Sequence, residues 1–430
     1  MIHVCISGTK RLLDPDGSKF DAFSIHINGI FHSLLRYSQL LRLHEALLKL
    51  PGIGAHIPDF PPKKLRHHLG ERQLEERRLA LQRYLESLAQ ISAVSSHPTL
   101  ITFFREAQKA SFRPSTSNVS LEVQLAGGET EKLRCPVDAP PSIILKIVMS
   151  QLGVPEEYQK RFGLFLAKPA GQKHAFHVVH WLTELESPYL SMQNLNQRTG
   201  LFHKILLRKR YWDLELEKAL LTDPACLNLV YAQAMADVSH GPSTVTGDVL
   251  RKLKVLQQQG SKKEYVRLAS LQRHYGALEL ESGRSDYPRP DSNVRILLAG
   301  RNILLLYSDP NSGEPAEAVL KLTRVRVWKV FYQAEGKEAS LSLEYMMGRQ
   351  RFDWITLHLP HAVLLCKCLQ AMGGEILASV SGDTPSHTSS SPASPSEPRG
   401  ENRRHFGYYT QEFQWLFGGW TRQRVCKQRI

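Results

Sequence analysis

The stretch RYSQLLRLHEAL, Arg36 to Leu47, places an arginine and a tyrosine directly before a serine that can cap a helix. Leucines at helical spacing follow from Leu40 to Leu50 and predict a helix that begins at Ser38. The start of a helix carries unpaired backbone N–H groups and the positive end of the helix dipole. Arg36 can grip a phosphate with two parallel hydrogen bonds, and the flat face of Tyr37 suits a sugar-like ring. The stretch therefore predicts a site for a phosphorylated ring.

Strands are predicted on the N-terminal side of this stretch. Phe23 to Asn28 alternates apolar and polar residues, and Asn28 with Gly29 is a strong signal for a two-residue hairpin turn before a return strand. On the other side, two adjacent prolines keep the loop IPDFPPKKLRHH out of a helix. Two further helices are predicted, over residues 80–89 and 99–109. A small sheet followed by helices fits this pattern.

Four further cations follow in the same part of the chain. Lys63 and Lys64 come after the double proline, and Arg77 and Arg78 flank the apolar stripe of the second predicted helix. Each of them alone is most simply a solvated surface charge. Because all four lie close to Arg36 in the sequence, we expect them to converge on one anionic ligand.

The composition restricts the class of partner. The chain has 430 residues and a formal net charge of +14, which calls for nucleic acid or the anionic face of a membrane. The nucleic-acid alternative is the weaker one, because the sequence has no zinc fingers and no RNA-binding signature strand, and its cations are scattered. We therefore expect no nucleic-acid partner.

An enzyme is a weaker alternative still. The sequence has no P-loop, no nucleophile elbow and no HExxH pattern, and its 18 histidines and six cysteines lack ligand or disulfide spacing. No catalytic residue, metal or cofactor is predicted, and the pair Cys366 and Cys368 is expected in the core. No apolar run of membrane-spanning length and no signal peptide is apparent. We expect a cytosolic protein that adsorbs reversibly to membranes.

The motifs resemble a known family. RYSQL, followed by FPPKKL and an EERR helix, resembles the phox-homology (PX) domain of sorting nexins over residues 1–109. In that family the arginine binds the 3-phosphate of phosphatidylinositol 3-phosphate, and the tyrosine stacks on the inositol ring. The resemblance implies these roles for Arg36 and Tyr37, with Ser38 assisting.

The resemblance also implies roles for the loop and the second helix. The family's lysine after the double proline reaches the 1-phosphate, which is Lys63 here, and the helix arginine that binds the inositol hydroxyls is Arg77. The less favoured alternatives are Lys64 and Arg78. Apolar residues of the same loop enter the bilayer in that family, and the candidates here are Leu65 and Leu69.

The rest of the chain is similar to the PX-FERM sorting nexins, and its compact final lobe favours the sorting nexin 31 branch over the sorting nexin 17 branch. Hairpin-then-helix, helical and strand-rich patterns follow one another, as in SKKEYVRLASLQRHYG and RVRVWKV. The predicted fold class is α+β and multidomain. The predicted units are a PX domain (1–109), a linker (110–118), a ubiquitin-like lobe (119–207), a helical lobe (208–285), a PH/PTB-like lobe (286–379) and a low-complexity tail (380–430).

The resemblance implies a peptide-binding groove in the PH/PTB-like lobe. Family members bind NPxY-type or NxxY-type sorting motifs in receptor tails, of the integrin and lipoprotein-receptor kinds, by adding a strand to a sheet edge. The implied edge is RVRVWKV, with Trp328 offering an apolar surface and Lys329 and Val330 continuing the pairing. From its residue type alone, Trp328 is more simply a strand residue that packs on its own core. On the closing helix, the implied groove residues are Met372 and Leu377.

Two departures from the family pattern stand out. Gly373-Gly374 replaces a bulkier first residue, so we expect the closing helix to end early there. The chain ends in RQRVCKQRI, where relatives carry an aromatic-acidic segment that engages the endosomal retrieval machinery, so this partner is not assigned. The aromatic and basic tail is expected to be disordered, with a membrane-touching helix as the alternative. The function implied is an endosomal cargo adaptor that promotes receptor recycling.

Overall fold

The structure is a computed structural model of the chain, and it describes residues 2–14, 16–63, 70–170, 176–309, 312–332, 339–349, 351–381, 407–416 and 419–423. Residues 407–416 and 419–423 are described by their backbone.

The first lobe is a three-stranded antiparallel sheet covered by helices. Its elements are β1 (Val4–Leu13), β2 (Lys19–Ile27), β3 (Ile30–Arg36), α1 (Tyr37–Leu48), a short 3-10 turn (Gly54–His56), α2 (Glu71–Gln90), α3 (Ser92–Ser95) and α4 (Pro98–Phe112). The predicted hairpin turn is confirmed: Asn28 and Gly29 have φ of 50° and 88°, the positive values that a type I′ turn requires.

The N-cap residue of helix α1 lies two residues earlier than predicted. Its N-cap residue is Arg36, and Ser38 lies inside the first turn, where it makes no capping bond. The reason is local. The side chain of Gln39 accepts a hydrogen bond from the backbone N–H of Arg36 at 2.8 Å, as in a capping box, and this bond stabilises a helix start at Arg36. The apolar stripe of α1 is buried as predicted, with Leu40, Leu43 and Leu47 at most 2% exposed.

The second lobe is a five-stranded sheet in the order β5-β4-β8-β6-β7 with helices on it. Strand β4 pairs antiparallel with β5 and parallel with β8, which is the arrangement of a ubiquitin-like lobe. Its elements are β4 (Asn118–Gln124), β5 (Thr130–Pro136), α5 (Pro141–Gln151), α6 (Glu156–Gln159), β6 (Phe162–Pro169), β7 (Phe176–Trp181), α7 (Pro188–Thr199) and β8 (Lys204–Lys209).

The third lobe is a helical bundle that shares one apolar core with the second lobe. Its elements are α8 (Glu215–Leu220), α9 (Pro224–Ser239), α10 (Gly247–Gln258) and α11 (Lys262–Ser270). The helical pattern predicted through RHYG stops at Ser270. Beyond it, Arg273 forms an isolated bridge with Thr244, and His274 takes a positive φ of 63°, which ends helical geometry.

The fourth lobe is a bent sheet closed by a long helix. Its elements are β9 (Leu278–Glu279), β10 (Gly283–Ser285), β11 (Ser292–Ala299), β12 (Asn302–Ser308), β13 (Pro315–Lys321), a 3-10 turn (Leu322–Arg324), β14 (Val325–Tyr332), β15 (Ala339–Gly348), β16 (Arg351–His358) and α12 (Ala362–Ser381). The strands follow the order β13-β12-β11-β10-β16-β15-β14, and β9 pairs with β11.

Helix α12 runs through Gly373-Gly374, so the expectation of an early end was wrong. Burial of its flanks, including Met372 and Ile376, outweighs the low helix propensity of the glycines. By length and composition alone, residues 362–379 could cross a membrane, which corrects the expectation that no segment of that kind is present. In this fold 56% of the window is buried, and the helix packs on the sheet as its core helix.

The tail returns to the fourth lobe. Strand β17 (Gly407–Leu416) pairs antiparallel with β14, in a register from Val327 opposite Glu412 to Tyr332 opposite Gly407. Strand β18 (Gly419–Gln423) then pairs with β17. This differs from the predicted disordered tail, and from a membrane-touching helix, over these two segments. The low-complexity residues 382–406 lie outside the described part of the chain.

A buried joint connects the first, second and fourth lobes. The imidazole Nε2 of His32 lies 3.0 Å from the carbonyl oxygen of Leu185, and Gln108 donates to Ser191 Oγ at 3.0 Å. The backbone N–H of Ser187 donates to Gln108 Oε1 at 2.7 Å. Because these groups are buried and paired across lobes, the joint is specific as well as apolar.

The fourth lobe enters the same joint through α12. Lys367 donates to the carbonyl oxygen of Trp181 at 3.0 Å, and the His3 imidazole lies 3.4 Å from the Cys366 sulfur. Burial lowers the pKa of Lys367 to about 8. Burial also tends to raise the pKa of Glu186, but His180, 2.9 Å away, outweighs it and holds that pKa at about 2. Charged and polar groups thus bridge the lobes at their centre.

Candidate functional site

Tyr37 is the point at which three segments of the first lobe meet. Its hydroxyl donates to the carbonyl oxygen of Pro61 at 2.6 Å, and its ring centroid lies 5.3 Å from that of Phe60. The guanidinium carbon of Arg77 sits 4.7 Å from the Tyr37 ring centroid. The start of α1, the proline loop and α2 are therefore joined at one side chain. Burial raises the pKa of Tyr37, so its hydroxyl stays protonated as a donor.

Arg77 has spare hydrogen-bonding capacity at this place. It is half-buried, and its terminal nitrogen Nη2 is buried with no hydrogen-bond partner among the described residues. An unpaired buried donor on a cation is costly, and an anion placed against it would remove that cost. The residues present therefore fit a phosphate-bearing or polyhydroxyl ligand beside Tyr37.

Arg78 is engaged elsewhere. Its Nη1 donates to Gln82 at 3.1 Å and also to the backbone carbonyl oxygen of Ile6, while its Nε donates to Glu75 at 2.8 Å. It ties α2 to β1. The structure thus separates the two adjacent arginines that the sequence left as alternatives, and it places Arg77 on the side of Tyr37.

Arg36 lies beside Tyr37 but is already held by two partners. Its Nη1 donates to Asp14 Oδ2 at 2.9 Å, and its Nη2 makes a second bond to the other oxygen of the same carboxylate. Its guanidinium also stacks on Phe20, 3.4 Å from the ring centroid. The hydrogen bond from Arg36, outweighing the opposing effect of desolvation, lowers the pKa of Asp14. Sequence reasoning missed both Asp14 and Phe20.

The structure describes only some of the remaining lipid-site candidates. Ser38 is exposed in the first turn of α1, and Lys63 is exposed on the loop two residues after Pro61. Lys64, Leu65 and Leu69 lie outside the described residues, so their predicted roles stay predictions. Among the residues that the structure describes, no group of three or more His, Cys, Asp or Glu side chains could hold a metal ion.

The predicted groove residues of the fourth lobe are mostly core residues. Trp328 is 2% exposed, belongs to the main core cluster and lies against the thiol of Cys366. Its burial does not favour the predicted role as an apolar surface for a peptide, and that role stays a prediction. Val330 and Met372 are buried in the same core, whereas Leu377 is half-buried on it. Only Lys329 of the strand trio reaches outward, with its Nζ 4.3 Å from the Trp354 ring centroid.

The reason for the burial of Trp328 is a bulge. The register between β14 and β15 shifts between Val325 and Val327. Side chains along a strand alternate between its two faces, and this extra residue moves Trp328 to the face that Val325 occupies. After the bulge, Trp328 and Val330 face the core. The backbone of β14 still forms a sheet edge, and β17 pairs with this backbone.

The two thiols expected in the core are there. Cys366 and Cys368 are 2% and 0% exposed, and burial raises the pKa of each to about 12. Neutral buried thiols of this kind are poor nucleophiles.

Family comparisons follow this geometry along the chain. The PX domain model matches residues 23–107, and the model of the sorting nexin 17/27/31 FERM domain, F1 lobe, matches residues 119–212. The sorting nexin 17/31 FERM domain, F2 lobe, matches residues 213–273, and the sorting nexin 17 FERM C-terminal domain matches residues 276–377. The chain is 35% identical to sorting nexin-17 of Mus musculus over 396 residues, which is 89% of this chain and 83% of that protein.

The chain belongs to the PX-FERM sorting nexins. Within this family it is 26% identical to sorting nexin-31 of Homo sapiens over 394 residues, covering 89% of this chain and 87% of that protein. Identity is thus higher to sorting nexin-17 than to sorting nexin-31, in contrast to the branch that the sequence favoured. The MyTH4-FERM MF2 domain of Dictyostelium discoideum myosin VII matches with a TM-score of 0.45 and 13% identity, covering 69% of this chain and 74% of that one.

The predicted family and fold class are confirmed: a PX domain precedes three FERM-like lobes in this PX-FERM sorting nexin. Such a family membership associates the chain with endosomal sorting.

Proposed function

We propose that this PX-FERM sorting nexin is a non-catalytic adaptor on the cytosolic face of early endosomes. Its first lobe binds phosphatidylinositol 3-phosphate, and its fourth lobe binds NPxY-type or NxxY-type motifs in receptor tails, which directs the receptors to recycling. The observation that carries the lipid half is the meeting of α1, the proline loop and α2 at Tyr37, with Arg77 4.7 Å from its ring.

The lipid roles follow from the placement of the cations. Arg36 receives the 3-phosphate with its fork of donors, and Ser38 adds a hydroxyl in the exposed first turn of α1. Arg77, with its unpaired Nη2, binds the inositol hydroxyls. Lys63 reaches the 1-phosphate from the exposed loop. Each cation near an anionic surface contributes about 1 kcal/mol, so several weak contacts suffice for recruitment.

The test of the lipid half uses Arg36→Ala with Arg42→Ala as its matched control. Arg42 is exposed on the same helix, so its loss removes the same charge away from Tyr37. Binding to vesicles with phosphatidylinositol 3-phosphate should fall at least tenfold for Arg36→Ala, about 1.4 kcal/mol, and less than twofold for Arg42→Ala. Unchanged binding of Arg36→Ala would reject the lipid site.

The peptide half rests on the edge of β14. This edge already accepts an antiparallel strand, because β17 pairs with six of its residues from Val327 to Tyr332. A receptor tail of the integrin or lipoprotein-receptor kind would add its backbone at the same edge in place of β17, beside α12, where Leu377 is half-buried. Recognition is then mainly by backbone pairing, and Lys329 and Arg326 are outward side chains along the strand.

The test of the peptide half changes the peptide and leaves the protein intact, since Trp328 is a core residue. Hydrogen exchange of the full chain should become faster for the β17 amides when an NPxY peptide is added, because the peptide replaces β17 on β14. A matched peptide with both the asparagine and the tyrosine replaced by alanine should leave the rates unchanged. Equal effects of both peptides would reject the assignment.

A further inference from the structure

The arginine that the proposed function assigns to the 3-phosphate is not free. Asp14 meets both terminal nitrogens of Arg36, one of them at 2.9 Å, and Phe20 covers the guanidinium at 3.4 Å from its ring centroid. The carboxylate therefore takes the two-pronged donor face that a phosphate would use. A ligand that binds Arg36 in this way has to displace Asp14.

We propose that Asp14 is an internal competitor at the lipid site: it occupies Arg36 and lowers the affinity for a phosphomonoester headgroup until that headgroup displaces it. This inference rests on the proposed function, because it concerns the same arginine. Asp14 acts as a competitor that is part of the chain.

The exchange follows from charge. A phosphomonoester carries about −1.5 to −2 at neutral pH and offers three acceptor oxygens. A carboxylate such as that of Asp14 carries one negative charge, so the monoester binds the same guanidinium more strongly and can displace it. Because the carboxylate and the ligand exclude each other, Asp14 lowers the affinity of every ligand that needs Arg36 by the same factor.

The position of Asp14 is set by its own turn and not only by Arg36. Its backbone N–H donates to the carbonyl oxygen of Ser18 at 2.8 Å, and the N–H of Gly17 donates to the Asp14 carbonyl oxygen at 2.9 Å. The turn closes the hairpin between β1 and β2, opposite the end of β3. The carboxylate is thus presented to Arg36 by the fold and is ready to return when a ligand leaves.

The pair is accessible to an incoming ligand. The side chains of Asp14 and Arg36 are 25% and 37% exposed, so exchange requires a change of side-chain partner and no opening of the core. Asp16 is a second carboxylate in the same turn, and it accepts a hydrogen bond from the Ser18 N–H at 2.9 Å, which together with the nearby charge of Arg36 lowers its pKa. Partly exposed pairs of this kind are weak, so the competition should change the affinity by no more than about fivefold. The competitor is weak enough for a phosphomonoester to displace it.

The experiment compares Asp14→Asn with Asp21→Asn in the full chain. Asp21 is a matched control: it lies on the neighbouring strand β2, is 23% exposed, and pairs with Arg11 at 3.1 Å, so its loss removes the same charge without freeing Arg36. Asp14→Glu keeps the charge and serves as the conservative variant. Binding is measured to vesicles with phosphatidylinositol 3-phosphate and to vesicles with phosphatidylserine at the same total charge.

The expected result is a gain in affinity for the ligand that uses Arg36. Asp14→Asn should bind the phosphatidylinositol 3-phosphate vesicles about fivefold more tightly and the phosphatidylserine vesicles less than twofold more tightly, while Asp14→Glu and Asp21→Asn stay near the wild type. Soluble inositol 1,3-bisphosphate should compete with the first vesicles, which separates headgroup recognition from adsorption to the membrane surface. Thermal unfolding checks that each variant is folded.

Three outcomes are distinguished. If Arg36→Ala abolishes binding to phosphatidylinositol 3-phosphate but Asp14→Asn behaves like Asp21→Asn, the role of Asp14 is overturned and the lipid site stands. If Arg36→Ala binds like the wild type, the lipid site itself is overturned. A gain by Asp14→Asn that is equal on both vesicles would reduce Asp14 to a general charge effect and would also overturn the inference.

Discussion

The proposed lipid site of the first lobe and the proposed peptide edge of the fourth lobe are each occupied by a part of the chain itself. At the lipid site a single carboxylate, Asp14, holds Arg36. At the peptide edge a whole strand, Gly407–Leu416, pairs with β14. One site is covered by a side chain at the surface and the other by a ladder of backbone bonds.

The two coverings differ in how readily a ligand replaces them. A partly exposed ion pair such as Asp14–Arg36 contributes little to stability. A strand ladder has several hydrogen bonds of about 0.5–1.5 kcal/mol each, offset by the entropy of closing the tail onto the lobe. Exchange at the lipid site therefore needs one rotamer change, whereas exchange at the peptide edge needs the removal of a strand. The comparison predicts that lipid binds first and peptide second.

The largest expected effect separates the edge of β14 from the core beneath it. Trp328→Ala should lower the free energy of unfolding by about 3–5 kcal/mol, because the indole fills the core of the fourth lobe. Trp354→Ala, on the outer face and 42% exposed, should cost less than about 1 kcal/mol. Denaturant unfolding of both variants gives the numbers. Equal losses would place Trp328 outside the core and return it to the peptide groove.

A second test uses pH to separate the surface sites from the buried histidines of the first lobe. Burial lowers the pKa of His3 to about 3 and that of His26 and His32 to about 4, so the unfolded chain binds more protons between those values and about 6.5. Stability should fall as the pH decreases through this window, by about 1 kcal/mol for each histidine between pH 7 and 5.5.

The surface pair should not contribute in that range. The pKa of Asp14 is already lowered, chiefly by the hydrogen bond from Arg36, so its stabilising effect is lost only at still lower pH. Denaturant unfolding at pH 7 and 5.5 is the measurement, and His32→Asn should reduce the slope. A stability that is flat between these values would contradict the neutral burial of the histidines.

A third test removes the strand that covers β14. A chain that ends at Ser381 should bind an NPxY peptide about tenfold more tightly than the full chain, because the peptide no longer competes with a tethered strand. A chain that ends at residue 418 keeps β17 and serves as the control, with a change of less than twofold. Calorimetric titration gives both affinities. Equal affinities for all three chains would mean that β17 does not cover the peptide edge in solution.

The smallest expected effect concerns the two adjacent arginines of α2. Arg77→Ala should weaken binding to phosphatidylinositol 3-phosphate vesicles about fivefold with little change in stability, since its Nη2 has no protein partner among the described residues. Arg78→Ala should lower the free energy of unfolding by about 1 kcal/mol, because Arg78 ties α2 to Ile6 of β1 and pairs with Glu75 on its own helix, and should leave lipid binding within twofold. The reverse pattern would exchange their roles.

What the sequence predicted well was local. The turn at Asn28-Gly29 and the apolar stripe of α1 depend on neighbouring residues, and both are confirmed. What it missed depends on contacts between distant segments. Asp14 is 22 residues from Arg36 and reaches it only because two hairpin turns bring them together. The available signal was the pair of acidic residues Asp14 and Asp16, which precede β2, the strand that pairs with β3 and so with Arg36.

The fourth lobe shows the same limit. Alternation in RVRVWKV cannot say which face of a strand is buried, and the bulge between Val325 and Val327 reverses the assignment for Trp328. The helix through Gly373-Gly374 is a second case, in which packing against the sheet outweighs a local signal for termination. The strand β17 depends on the exposed edge that it covers, so no pattern in the tail alone predicts it.

The buried joint of His32, Gln108 and Lys367 has a consequence for geometry at the membrane. Because it holds the first lobe against the fourth, the span from a bound headgroup to the β14 edge is a fixed length. A receptor anchored in the same bilayer has to bridge that span with the flexible residues between its transmembrane segment and its motif. The protein would therefore act as a molecular ruler, which selects receptors by how far their motif stands from the membrane as well as by its sequence.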